Sequence, residues 1–255
     1  MEAADAVRRV TRLQGVNPRA ADLLREAYEK GPEYPALSLA EVAAVVETGK
    51  ALFTQIDGNV CLSFYSITTE IRGTAYEYAG DSQVVRYFAA SGWERNIWFD
   101  HQRKKCAGRW ARSGLTCQQL LEILEHSPEN LPAGLIILCG INDILTASLH
   151  SAARAIDCAR QIKALLEVKQ IRSIWVGLPP CPKKEGVPQV DAAIREFNVA
   201  LASFESPLTK YIDLYRDFEN HIDEYIQWYK RDGSEDGVHL SNQGMDRLRY
   251  LLQSF

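Results

Sequence analysis

Four short stretches of this 255-residue chain hold residue types that could carry out nucleophilic chemistry. Ser82 follows Gly80-Asp81 at the end of an apolar and aromatic run, where a strand turning sharply into a helix would hold a hydroxyl out of the core, beside free backbone N–H groups. Gly114, within Arg112-Ser113-Gly114-Leu115-Thr116, marks a loop where a backbone N–H can come close to a ligand. Asn142 and Asp143 follow Gly140-Ile141 after a second apolar run, and Asp236-Gly237-Val238-His239 comes late in the chain. A serine hydroxyl is a poor nucleophile at neutral pH, so attack on an ester carbonyl needs an imidazole to take its proton. The imidazole needs a carboxylate to set its tautomer, and Asp236 lies three residues before His239, within reach of it. Taken singly, each stretch also has an ordinary reading as a turn, a helix cap or a satisfied polar residue.

The elements that would position these residues follow from hydrophobic periodicity. From residue 75 onward, short apolar runs alternate with stretches of helical period, the pattern of a mostly parallel sheet with crossover helices. Strands are expected at 75–79, 96–99, 134–139, 173–178 and 208–214, and helices at 83–91, 116–126, 148–168, 190–203 and 245–252. In such folds ligands sit at the carboxyl ends of the strands, which is where the four stretches fall. Residues 1–74 read differently. Two short amphipathic helices within 5–30 and a third over 38–47, opened by Ser38 with Glu41 in capping-box spacing, precede a hairpin turning at Asp57-Gly58. The expected organisation is therefore a helical and hairpin extension over 1–74 and an α/β domain over 75–255.

In this order and at these places, the four stretches resemble the blocks of the SGNH (GDSL-type) hydrolase superfamily. Gly80-Asp81-Ser82 is similar to the first block, Gly114 to the second, Gly140-Ile141-Asn142-Asp143 to the third and Asp236-Gly237-Val238-His239 to the last. Pro179-Pro180 resembles a less specific family feature, and the likeness spans about 75–252. It implies a three-layer α/β/α sandwich. It also implies cleavage of acetyl, acyl or lysophospholipid-type carboxylic esters through an acyl-enzyme on Ser82, with His239 as general base and then acid, oriented by Asp236. The oxyanion hole it implies consists of the Ser82 and Gly114 backbone N–H groups and the Asn142 side chain. Asp81 and Asp143 would support their loops. One departure stands out, since the first block continues with Gln83 where the family name records leucine.

Composition bounds the rest. Hydrophobic residues at 46% and charged residues at 24% fit a globular chain, and no apolar run is long enough to cross a bilayer. The start carries charges throughout and lacks a signal-peptide core, so a cytoplasmic or nuclear location is expected. Six cysteines show no metal-finger or CxxC spacing and are expected to be reduced and mostly buried. The other histidines, His101, His126, His150 and His221, have no ligand spacing; no metal or cofactor is expected. Gly49-Lys50 lacks the upstream glycine of a phosphate loop.

A net charge of −4 argues against nucleic-acid binding by bulk electrostatics. His101, Arg103, Lys104, Lys105, Arg109 and Arg112, with Trp98 and Trp110, nevertheless form a basic and aromatic stretch. It is either a solvated loop or a strip for an anionic partner such as RNA or phospholipid. Tyr225, Trp228 and Tyr229 are either core residues or the lining of a substrate pocket. Two further readings follow. The fold could serve as an RNA- or protein-binding module, alone or within a larger nucleic-acid-associated or viral-type polypeptide, and the extension could hold a homodimer together.

Overall fold

The computed structural model describes residues 51–56, 59–64, 68–91, 97–99, 104–125, 131–147, 151–182, 188–230, 233 and 235–255. The helices expected before residue 50 and the Asp57-Gly58 turn lie outside these residues. β1 (Ala51–Ile56) and β2 (Asn59–Phe64) pair antiparallel with Ile56 opposite Asn59, the register a two-residue turn requires.

The main sheet is built around β4 (Thr74–Gly80), whose last five residues are all buried. On one side it pairs in parallel with β8 (Gly134–Leu138), followed outward by β9 (Arg172–Val176) and β10 (Thr209–Ile212). On its other side two strands share its length. β3 (Thr68–Ile71) runs antiparallel along its first half, and β7 (Trp110–Arg112) runs parallel to its last two residues. β6 (Lys105–Ala107) and β5 (Ile97–Phe99) continue the sheet antiparallel. The sheet thus takes in β3, ahead of residue 75.

Helices cover both faces, which is why β8 can be apolar and buried at every position. α1 (Ser82–Ala90) packs near β4, β6 and β7 and meets α8 (Asn242–Gln253). α2 (Cys117–Glu125), α4 (Ala153–Val168) and α5 (Pro188–Ala202) form the other group, α4 packing on both of its neighbours. Short helices α3 (Ile141–Thr146), α6 (Leu214–Phe218) and α7 (Ile222–Tyr225) fill the connections. α4 shows how pattern becomes packing. Ala155, Ile156, Ala159, Ile162 and Leu166 recur at helical spacing and are all buried. The result is the expected α/β/α sandwich.

Three differences from expectation have local causes. β6 and β7 are three residues each and carry Lys105 and Arg112, too short and too charged to read as strands. β3 alternates between exposed and buried residues over four positions only. α4 begins at Ala153, whose N–H is met by the Ser151 hydroxyl at 3.2 Å, rather than at 148.

Candidate active site

The topology reverses at β4. Gly80 pairs with Ala111 of β7 on one side and Leu138 of β8 on the other, so the loops after three parallel strands leave the sheet side by side. Gly80 itself is held at φ +147°, and a Cβ there would lie 1.9 Å from the Leu138 carbonyl oxygen. Only glycine allows β4 to end this close to β8. The Asp81 N–H then donates to that same carbonyl at 3.2 Å, and the Asp81 carboxylate caps α1 by accepting from the Gln83 N–H at 2.9 Å. Ser82 is the first residue of the helix.

The structure brings the three expected triad residues together. Ser82 Oγ lies 2.8 Å from His239 Nε2, and His239 Nδ1 lies 2.7 Å from Asp236 Oδ1. Asp236 also accepts from the backbone N–H groups of Val238 and His239 at 3.2 and 3.1 Å, so one carboxylate shapes the turn and orients the ring. Its other oxygen accepts from Arg86 Nη2 at 3.1 Å. Burial disfavours the Asp236 charge, but bonding to His239 and the Arg86 cation outweigh it and hold the carboxyl below its usual range. Burial, followed by the charge of Arg86, lowers the affinity of the His239 ring for a proton against the pull of Asp236. Both effects favour the neutral ring, the form that can accept a proton.

Gly114 lies in the loop after β7, and Asn142 in the first turn of α3, after β8. Gly114 has φ +84° and open space where a Cβ would be. Asn142 Nδ2 donates to the Leu115 carbonyl at 2.9 Å, tying α3 to the loop that carries Gly114. Asp143 accepts from the Cys117 N–H at 2.9 Å and so caps α2 from α3. Burial pushes the Asp81 carboxyl up to about 7, with the Gln83 N–H opposing the shift and the Asp143 charge adding to it. Its Oδ2 has no partner among the described residues.

Among the described residues, Cys117, Cys139 and Asp143 are the one set whose ligand atoms, within 4.8 Å of one another, could hold a metal. In this arrangement the Asp143 carboxylate also accepts from the Cys117 N–H at the start of α2, and the Cys139 thiol donates to the Leu115 carbonyl at 3.8 Å. Cys106, Cys117, Cys139, Cys158 and Cys181 are all buried.

Folding draws Arg109 and Arg112 out of the basic strip. Arg109 bonds through Nε to the buried Glu77 at 2.8 Å and pairs with it again through Nη2, and the Trp110 indole N–H donates to the same carboxylate. A carboxylate enclosed on a central strand needs such a cation, and the β6–β7 turn delivers it. Arg112 is also buried. Lys104 and Lys105 are exposed, while Arg103 and His101 lie outside the described residues. Tyr225 stacks against Phe218, whereas Trp228 and Tyr229 are exposed on the segment that pairs with residues 235–236.

Two functional residues escaped the sequence reading. Gln83 is buried and spans both sides of His239, donating through Nε2 to the Val238 carbonyl at 2.7 Å and accepting from the Leu240 N–H at 3.0 Å. Arg86, one turn further along α1, joins Asp236 to the Gln227 side chain at 2.9 Å. The available signal was the departure itself, an amide where an apolar residue was expected.

The architecture is a mostly parallel sheet covered on both faces, with Ser82 at the end of β4 and His239 and Asp236 on a late loop beside it. The GDSL-like lipase/acylhydrolase family pattern matches residues 66–247, and the chain belongs to that family. No curated protein matches it in sequence. Among solved structures it is similar to the C-terminal domain of Drosophila Oskar protein, at 18% identity over 73% of this chain and 89% of that one, with a TM-score of 0.58. It is also similar to a GDSL-like lipase from Bacteroides thetaiotaomicron, at 17% identity over 69% of this chain and 84% of that one, with a TM-score of 0.50. At these identities the likeness is one of fold.

Proposed function

We propose that this protein hydrolyses carboxylic esters through an acyl-enzyme on Ser82. The observation that carries the reading is the continuous chain of contacts, 2.8 and 2.7 Å, from Ser82 through His239 to Asp236. As Ser82 Oγ attacks the ester carbonyl, His239 Nε2 takes its proton and Asp236 steadies the imidazolium. The oxyanion is met by the N–H groups of Ser82 and Gly114 and by the Asn142 amide. Collapse breaks the bond to the alcohol, which leaves with the proton from His239. Water, deprotonated by the same ring, then attacks the acyl carbon and frees Ser82. These residues complete the cycle among themselves, for acetyl, longer acyl or lysophospholipid-type esters alike.

The test is nitrophenol release from esters lengthened from acetyl to octanoyl. Turnover by the wild type should fall by about 10⁴-fold or more in Ser82→Ala. Silence toward every ester and toward a fluorophosphonate probe would reject the reading and leave the same fold as a binding module.

A further inference from the structure

We propose that Gln83 is a positioning residue whose side-chain amide brackets the backbone on both sides of His239 and so holds the base at its working distance from Ser82. The inference rests on the ester-hydrolase reading and goes beyond it to a residue outside the proposed triad and oxyanion hole. Gln83 directly follows the nucleophile and is only 2% exposed. Its Nε2 donates to the Val238 carbonyl at 2.7 Å and its Oε1 accepts from the Leu240 N–H at 3.0 Å. Val238 and Leu240 are the two chain neighbours of His239. The peptide groups flanking the base are thus referenced, through one rigid amide plane, to the helix turn that carries the nucleophile.

The chemistry singles out this side chain. A primary amide offers a neutral donor and a neutral acceptor side by side, and glutamine has the reach to cross from α1 to the loop. Leucine would fill the space but leave the Val238 carbonyl and the Leu240 N–H without their partner in the interior. Such a loop can relieve the loss by moving, and a shift of about 1 Å in a reacting group costs about 100-fold in rate. His239 has two further backbone anchors, its N–H to Asp236 at 3.1 Å and its carbonyl to the Gln227 N–H at 2.8 Å. Those bind the loop to its own neighbourhood. Gln83 is what binds it to the nucleophile helix from the residue next to Ser82.

The experiment compares wild type with Gln83→Met, which keeps length and volume but no hydrogen bonds, and with Gln83→Leu, a shorter apolar side chain. For a short-chain nitrophenyl ester, kcat should fall about 10- to 100-fold, with KM within about threefold, since binding contacts are untouched. The second readout is the NMR titration of the His239 ring, which Asp236, Arg86 and Lys230 face in wild type and variants alike. A loosened loop admits water to the ring, so its midpoint should rise toward the ordinary histidine value. Variants that fold, keep wild-type kcat and leave the His239 titration unmoved overturn the proposal, even if they melt earlier. If the wild type itself hydrolyses nothing, the ester reading fails and the titration alone decides, a raised midpoint upholding the bracket and an unchanged one rejecting it.

Discussion

The two halves of the site are held in different ways. Ser82, Gly114 and Asn142 follow β4, β7 and β8, and their relative places come from strand register, with Gly80 opposite both Ala111 and Leu138. Asp236 and His239 follow no strand of the main sheet. Their loop is fastened by side chains, with Gln83 on the peptides around His239, Arg86 on Asp236 and Gln227, and isolated bridges at Ile226–Leu240 and Tyr229–Glu235. A half set by backbone pairing tolerates side-chain change but not added bulk at its glycines. A half set by individual hydrogen bonds keeps its fold under substitution but loses its alignment.

This contrast can be broken from either side. The largest effect should come from Gly80→Ala, whose Cβ would meet the Leu138 carbonyl oxygen at 1.9 Å. The loss should exceed about 4 kcal/mol, a magnitude reserved for severe core disruption, read as a fall in Tm of about 10 °C or more or as loss of soluble protein. Asn142→Ala tests the same half for chemistry without bulk. Turnover should fall about 100- to 1000-fold, the cost of one oxyanion donor, while the stability loss stays near the roughly 1 kcal/mol of its bond to Leu115. Equal activity in this variant would remove Asn142 from the hole.

Arg86→Met probes the fastened half and should have the smallest effect, about tenfold in kcat/KM, as expected for one partly exposed charge contact. Its signature lies in pH dependence. The Arg86 charge helps depress the proton affinity of His239, so removing it raises that pKa. Because the base must be neutral to act, the acid limb of the rate profile should move to higher pH. A limb that stays in place would show that burial alone sets the ring.

The same contrast explains what could be read in advance. Strand and helix periods located β4, β8, β9 and α5 well, because each is long enough for its pattern to repeat. Three of the four stretches stood out because each places a glycine at the end of a strand of the main sheet, whereas Asp236 to His239 stood out by spacing alone. What could not be read was pairing between distant residues. Arg109 looked like part of a solvated run because its partner, Glu77, lies 32 residues earlier on another strand. Gln83 looked like a mere departure because its two partners lie 155 and 157 residues later.

Those separations also bear on synthesis. Ser82 and His239 are 157 residues apart, and at about 5–20 residues per second a ribosome takes roughly 8–30 seconds to travel between them. Throughout that interval the nascent chain carries Ser82 but not His239, and β4, β7 and β8 can pair before the last loop exists. The activity proposed here would then appear in one late step, when the final segment docks against α1, so that a chain released early would be a folded sheet with an unactivated serine.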